Sequence, residues 1–105
     1  MATNQVQQHR LELDAILRSY CPNVYYQPPE SIKLKYPCII YAMDALSPQY
    51  ADNQTYLLHI PYGMRYITRD ADDETVFKLA TLPKCKHGKP YGKDNLYHHP
   101  YTIYY

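Results

Sequence analysis

The chain has 105 residues, with eleven Lys plus Arg against ten Asp plus Glu and a formal charge of +1. That length holds a single domain, residues 1–105, with a modest core, and the balance of charge excludes both a globally cationic nucleic-acid binder and an acidic disordered chain. The unusual count is fourteen Tyr beside one Phe and no Trp: a ring with a polar tip suits surfaces that become buried on assembly, and ordinary sheet tyrosines explain the same count equally well.

In chain order, residues 5–20 predict a helix. Leu11, Leu13, Ile16, Leu17 and Tyr20 form its apolar stripe, with His9, Arg10, Glu12, Asp14 and Arg18 mostly off it. Thr3 or Asn4 is placed to cap its start and Pro22 to mark its end. Residues 24–27 lie among prolines, which cannot donate to a ladder, and read at most as a short edge strand. Residues 35–44 give the best core strand, because Cys38-Ile-Ile-Tyr is continuously apolar and β-branched at its centre. Residues 46–55 are polar and turn-rich, long enough to project from the sheet. Residues 56–60 begin the returning strand, where Pro61 and Gly63 predict a bulge or a break.

Residues 62–82 hold the clearest pattern. Tyr62, Met64, Tyr66 and Thr68 alternate with Arg65, Ile67 and Arg69, as a half-buried strand requires. The period then changes: Val76, Leu79, Ala80 and Leu82 predict a short helix, stopped by Pro83. Asp70, Asp72 and Asp73 lie between, placed to accept the unpaired amide protons of its first turn. Residues 84–93 read as a basic loop, and residues 96–105 as a terminal strand weakened early by Pro100. The sum is an α+β fold: a mostly antiparallel sheet of about four strands, with an N-terminal helix and a second helix packed on it.

No catalytic constellation emerges, and no cofactor motif. Cys85, His87, His98 and His99 are the best metal candidates, yet Cys85-x-His87 is a poor ligand pair, and adjacent His98 and His99 point to opposite faces of a strand. A Cys–His nucleophile lacks an orienting third group. Asp70, Asp72, Asp73 and Glu74 lack the spacing of a calcium loop and read as helix caps. Lys84, Lys86, Lys89 and Lys93, with Tyr91 and Tyr97, offer a nucleic-acid alternative, against which stand four solvated loop lysines. Cys21, Cys38 and Cys85 are an odd, widely spaced set that reads as reduced thiols. No apolar run reaches membrane-span length and the N-terminus is polar, so neither a membrane nor a signal segment is expected.

Several blocks carry a resemblance: Cys21-Pro-Asn-Val-Tyr-Tyr-Gln-Pro-Pro-Glu, Tyr36-Pro-Cys-Ile-Ile-Tyr, Tyr66-Ile-Thr-Arg-Asp-Ala-Asp-Asp, Leu82-Pro-Lys-Cys, Asp94-Asn-Leu-Tyr-His-His and Ile103-Tyr-Tyr. Together they resemble small virion proteins of long-tailed bacteriophages, and among these the tail terminator, or tail completion, proteins. The chain departs from that pattern at Ala71, where a Pro is usual, and at Pro61, Gly63 and Pro100. The resemblance implies an α/β sandwich without enzymatic activity that forms a hexameric ring. Such a ring caps the tail tube, ends its polymerisation and faces the head connector. Its partners are then copies of itself, the tail tube protein and the head-completion or connector protein, with genome DNA passing through without specific binding. The implied location is the tail–neck junction of the virion, and the host cytoplasm before assembly; a head-completion or adaptor role is the alternative. A head-to-tail ring needs two different surfaces. The candidates are the 46–55 loop with Tyr50, the C-terminal strand with Tyr101, Tyr104 and Tyr105, and Arg65 with Arg69 on the exposed face of the central strand.

Overall fold

A computed structural model describes residues 5–44 and 60–105. Helix α1 (Gln5–Arg18) precedes strands β1 (Val24–Tyr26), β2 (Cys38–Met43) and β3 (Pro61–Thr68); helix α2 (Thr75–Ala80) and strands β4 (Cys85–His87), β5 (Tyr91–Lys93) and β6 (Leu96–Tyr104) complete the chain. The capping residues Thr3 and Asn4, the 46–55 loop and the start of the returning strand at 56–59 lie outside the described residues. No helix among the described residues is long and apolar enough to cross a membrane.

The sheet corrects the expected count of about four strands: six strands run in the order β1-β2-β3-β6-β4, with β5 also on β6. Mixed α+β character stays, but three features differ. First, β1 joins β2 in parallel, pairing Val24 with Ile39 and Tyr26 with Tyr41. Second, the basic 84–93 stretch is not a loop: it supplies β4 and β5, both antiparallel to β6. Asp94 and Asn95, at φ 56° and 62°, make the two-residue turn between β5 and β6. That is the left-handed pair a tight hairpin needs, and Asp and Asn tolerate it.

Third, neither Pro61, Gly63 nor Pro100 breaks a strand. β3 keeps register with β6 from Pro61↔Tyr104 to Thr68↔Tyr97. Pro100 is accommodated by where its missing N–H falls. Tyr104 N–H donates to Lys84 O and Gly88 N–H to Pro100 O, so even-numbered β6 residues face the β4 side. At Pro100 the reciprocal bond cannot form, and there β4 ends and the ladder passes to β5. Gly63 has open space where a Cβ would stand, so it costs the strand only entropy.

Both described helices lie on one face of the sheet. Leu13 and Leu17 of α1 and Val76 and Leu79 of α2 pack on Ile39, Tyr41, Tyr62, Met64, Tyr66, Tyr101 and Ile103. Leu13, Leu17 and Leu79 are fully buried, worth about 1.5–3 kcal/mol each. The α1 stripe is rotated from expectation: Leu11 is 46% exposed, while Arg10 and Asp14 turn inward to meet the Tyr41 hydroxyl. Hydropathy alone sets Arg10 and Asp14 outside; a tyrosine tip beneath the helix brings them in.

Candidate interaction surface

Much of the polar chemistry is spent on architecture. Tyr41, Tyr62, Tyr66 and Tyr101 are buried in the core. Tyr41 donates to Asp14 Oδ2 at 2.6 Å, Tyr66 to Asp73 Oδ2 at 2.6 Å, and Tyr101 to the Val76 carbonyl at 2.8 Å. The Tyr62 hydroxyl has no partner among the described residues. Four of the twelve described tyrosines are therefore core residues, three of them with an anchored tip, and the others are half-buried or exposed, which is why composition alone could not separate core from interface.

Asp73 is the hub of the acidic turn. Besides Tyr66 it accepts from Thr68 Oγ1 at 2.8 Å and from the Thr75 N–H at 2.9 Å. Burial pulls its carboxyl up, but the bonds from Tyr66, Thr75 and Thr68 outweigh that and hold it below its ordinary 3.8. Asp70 accepts the Asp72 N–H at 3.0 Å, so it shapes the turn ahead of α2 rather than its first turn. Asp72 and Glu74 are exposed; no side-chain bond caps α2 at Glu74.

The histidines divide as the strand geometry demands. His87 and His99 share the helix face, their Nε2 and Nδ1 atoms 3.2 Å apart, so one ring donates to the other. His98 lies on the opposite face, its ring stacked on Tyr91 at 4.9 Å and 5°. Burial lowers the basicity of His98 and, with the neighbouring His87, of His99. Among the described residues no three His, Cys, Asp or Glu side chains are grouped to hold a metal. The thiols are free; burial pushes Cys38 and Cys85 up to about 11, which leaves them poor nucleophiles.

Of the interface candidates, Tyr50 lies outside the described residues. Tyr101 is 3% exposed and bonded to α2, so it belongs to the core and has no surface to offer a neighbour. Tyr104 is exposed, and Tyr105 is half-buried, its ring 4.6 Å from that of His9 and its carbonyl accepting from His9 Nε2 at 2.8 Å. Arg69 stands over the Tyr36 ring at 5.7 Å. Arg65 is exposed and donates to the Tyr91 hydroxyl at 3.3 Å.

Arg65 belongs to a wider surface than the exposed strand face on which the sequence places it. On the face away from the helices, Ile40, Ala42, Gly63 and Pro100 floor a shallow, mostly apolar groove of about 320 Å³, with Arg65 and Tyr91 at its side. The six strands contain three charged residues, Arg65, Lys86 and Lys93, and no carboxylate. Their β6 partners are Pro100, Thr102 and Leu96, all of one parity, so the three cations share this face. The available signal was the absence of Asp and Glu from every extended segment. It was hidden because the near-neutral total averages over the acidic connections. No protein-family model, curated protein or solved structure matches the chain.

Proposed function

We propose that the chain is a structural virion protein of a long-tailed bacteriophage, a tail terminator. It caps the tail tube as a hexameric ring, ends tube growth and joins the tail to the head connector, turning over no substrate. The sequence blocks that resemble that family support this reading. The observation that carries it is the sheet face away from the described helices: an apolar floor beside an arginine, with Lys86 and Lys93 as the other charged strand residues, is a surface suited to burial against protein. The connection between antiparallel neighbours β2 and β3, residues 44–60, is also far longer than the roughly 2–5 residues a hairpin needs, as connections that carry function often are.

The test is polymerisation of the tail tube protein with and without this chain, with tube lengths measured by electron microscopy. Tubes of bounded length carrying a terminal ring are expected. Unbounded growth with no chain at the tip would overturn the terminator role. Unchanged tubes combined with failure of heads to join in particles lacking the chain would assign it to the head side of the neck.

A further inference from the structure

Phe77 is the single phenylalanine of the chain and, among the described residues, the most exposed large apolar side chain, at 72%. It stands on α2, whose Val76 and Leu79 face the core, so the ring points away from the sheet. Glu74 precedes it by three residues and shares its side of the helix. Asp70 and Asp72, both exposed, flank that site on the turn before α2. This surface is thus an apolar knob with carboxylates on its N-terminal side and Lys78 next to it in the helix. The opposite face of the same subunit carries its complement, an apolar groove with Arg65 beside it and Lys86 and Lys93 on neighbouring strands.

We infer that the groove over Ile40, Ala42, Gly63 and Pro100 receives Phe77 of a second copy, with Glu74 of that copy meeting Arg65. The inference rests on the self-assembly reading above and assigns the two surfaces it needs. Knob and groove lie on opposite faces of one subunit, so the contact is heterologous and propagates head to tail, closing where the rotation permits. Charge complementarity sets the register and opposes pairing of like faces, while the ring in the groove supplies the apolar burial. A nucleic-acid strand fits the three cations but not the floor, which offers apolar side chains where a phosphate backbone needs donors.

The test uses the full chain and reads its association by sedimentation over a range of concentrations. Arg65→Glu and Glu74→Arg should each weaken self-association by about tenfold or more, and the double variant should recover most of the loss. Phe77→Ala should weaken it comparably with the monomer still folded, since that ring is mostly in solvent. Gly63→Val fills the groove where nothing lies within 4 Å of the new Cβ, so it should block association while leaving the monomer's melting temperature intact. Wild-type assembly that all four variants share, or a double variant no better than its singles, would overturn the inference while leaving the ring reading in place. A wild type that stays monomeric throughout would overturn both. Retention of a single-stranded oligonucleotide by the wild type but not by Gly63→Val would assign the face to nucleic acid instead and equally overturn the inference.

Discussion

Removing the Asp73 carboxylate should be among the costliest single changes in the molecule. It serves three donors, the hydroxyls of Tyr66 and Thr68 and the Thr75 N–H, and both hydroxyl residues are 2% exposed. Asp73→Ala strands two buried hydroxyls, at about 1–3 kcal/mol each, and removes a charge-assisted bond to the start of α2. A loss of about 3–5 kcal/mol is expected, a large share of the stability of a domain this size. Asp73→Asn keeps the shape and one acceptor oxygen but turns an amide toward a donor, so about 1–2 kcal/mol is expected. Urea unfolding followed by circular dichroism reads both as shifts in midpoint at constant slope. Because the carboxyl is held below 3.8 in the folded state, its contribution is fully present above that value. It is lost as pH falls through the lower folded-state value, and there the gap between wild type and Asp73→Asn should close. A cycle with Tyr66→Phe should give about 1 kcal/mol of coupling. An Asp73→Ala cost below about 0.5 kcal/mol, or no coupling to Tyr66, would refute the hub role.

Three further outcomes follow from the same geometry. Tyr101→Phe should cost about 1 kcal/mol in unfolding, through the lost bond to the Val76 carbonyl, and leave association unchanged in sedimentation. Asn95→Gly should raise stability by up to about 1 kcal/mol in thermal melts, because Asn95 holds φ 62° in the β5–β6 turn. Burial holds His98 and His99 below their ordinary 6.5; folding therefore favours their neutral forms, and stability should fall as pH drops below 6.5 toward the folded-state values. Melts between pH 8 and 5, with His98→Phe flattening part of the slope, check the sign.

Where one local rule governed, the sequence was readable. The run from Cys38 lies in a strand because a continuous apolar run suits a strand buried on both faces, and Cys38 and Ile39, on opposite faces, are both fully buried; residues 96–105 carry another despite their proline. Helix α2 follows the change of period at Val76. Reading failed where two rules competed. Pro100 and Gly63 argued against extended strands, but the sheet's hydrogen bonds bypass the missing N–H and leave open space beside the glycine. The Asp94-Asn95 pair marks a hairpin, yet the lysines around it read as solvent-facing loop, so β4 and β5 were missed and the strand count fell short. Hydropathy sets Leu11 inward and Arg10 and Asp14 outward because it cannot see a tyrosine hydroxyl under the helix. Composition sets Tyr101 at an interface for the same reason: its partner is a main-chain carbonyl on α2, which no composition reveals. The sequence places Arg65 on an exposed strand face but does not join Lys86 and Lys93 to it, because that face is made by register across three strands.

The central claim is that this chain works by joining copies of itself. Native mass measurement of the purified full chain at micromolar concentration addresses it most directly. A closed assembly of six subunits of 12.4 kDa each is expected; a single subunit at every concentration, and in the intact particle, would contradict the account.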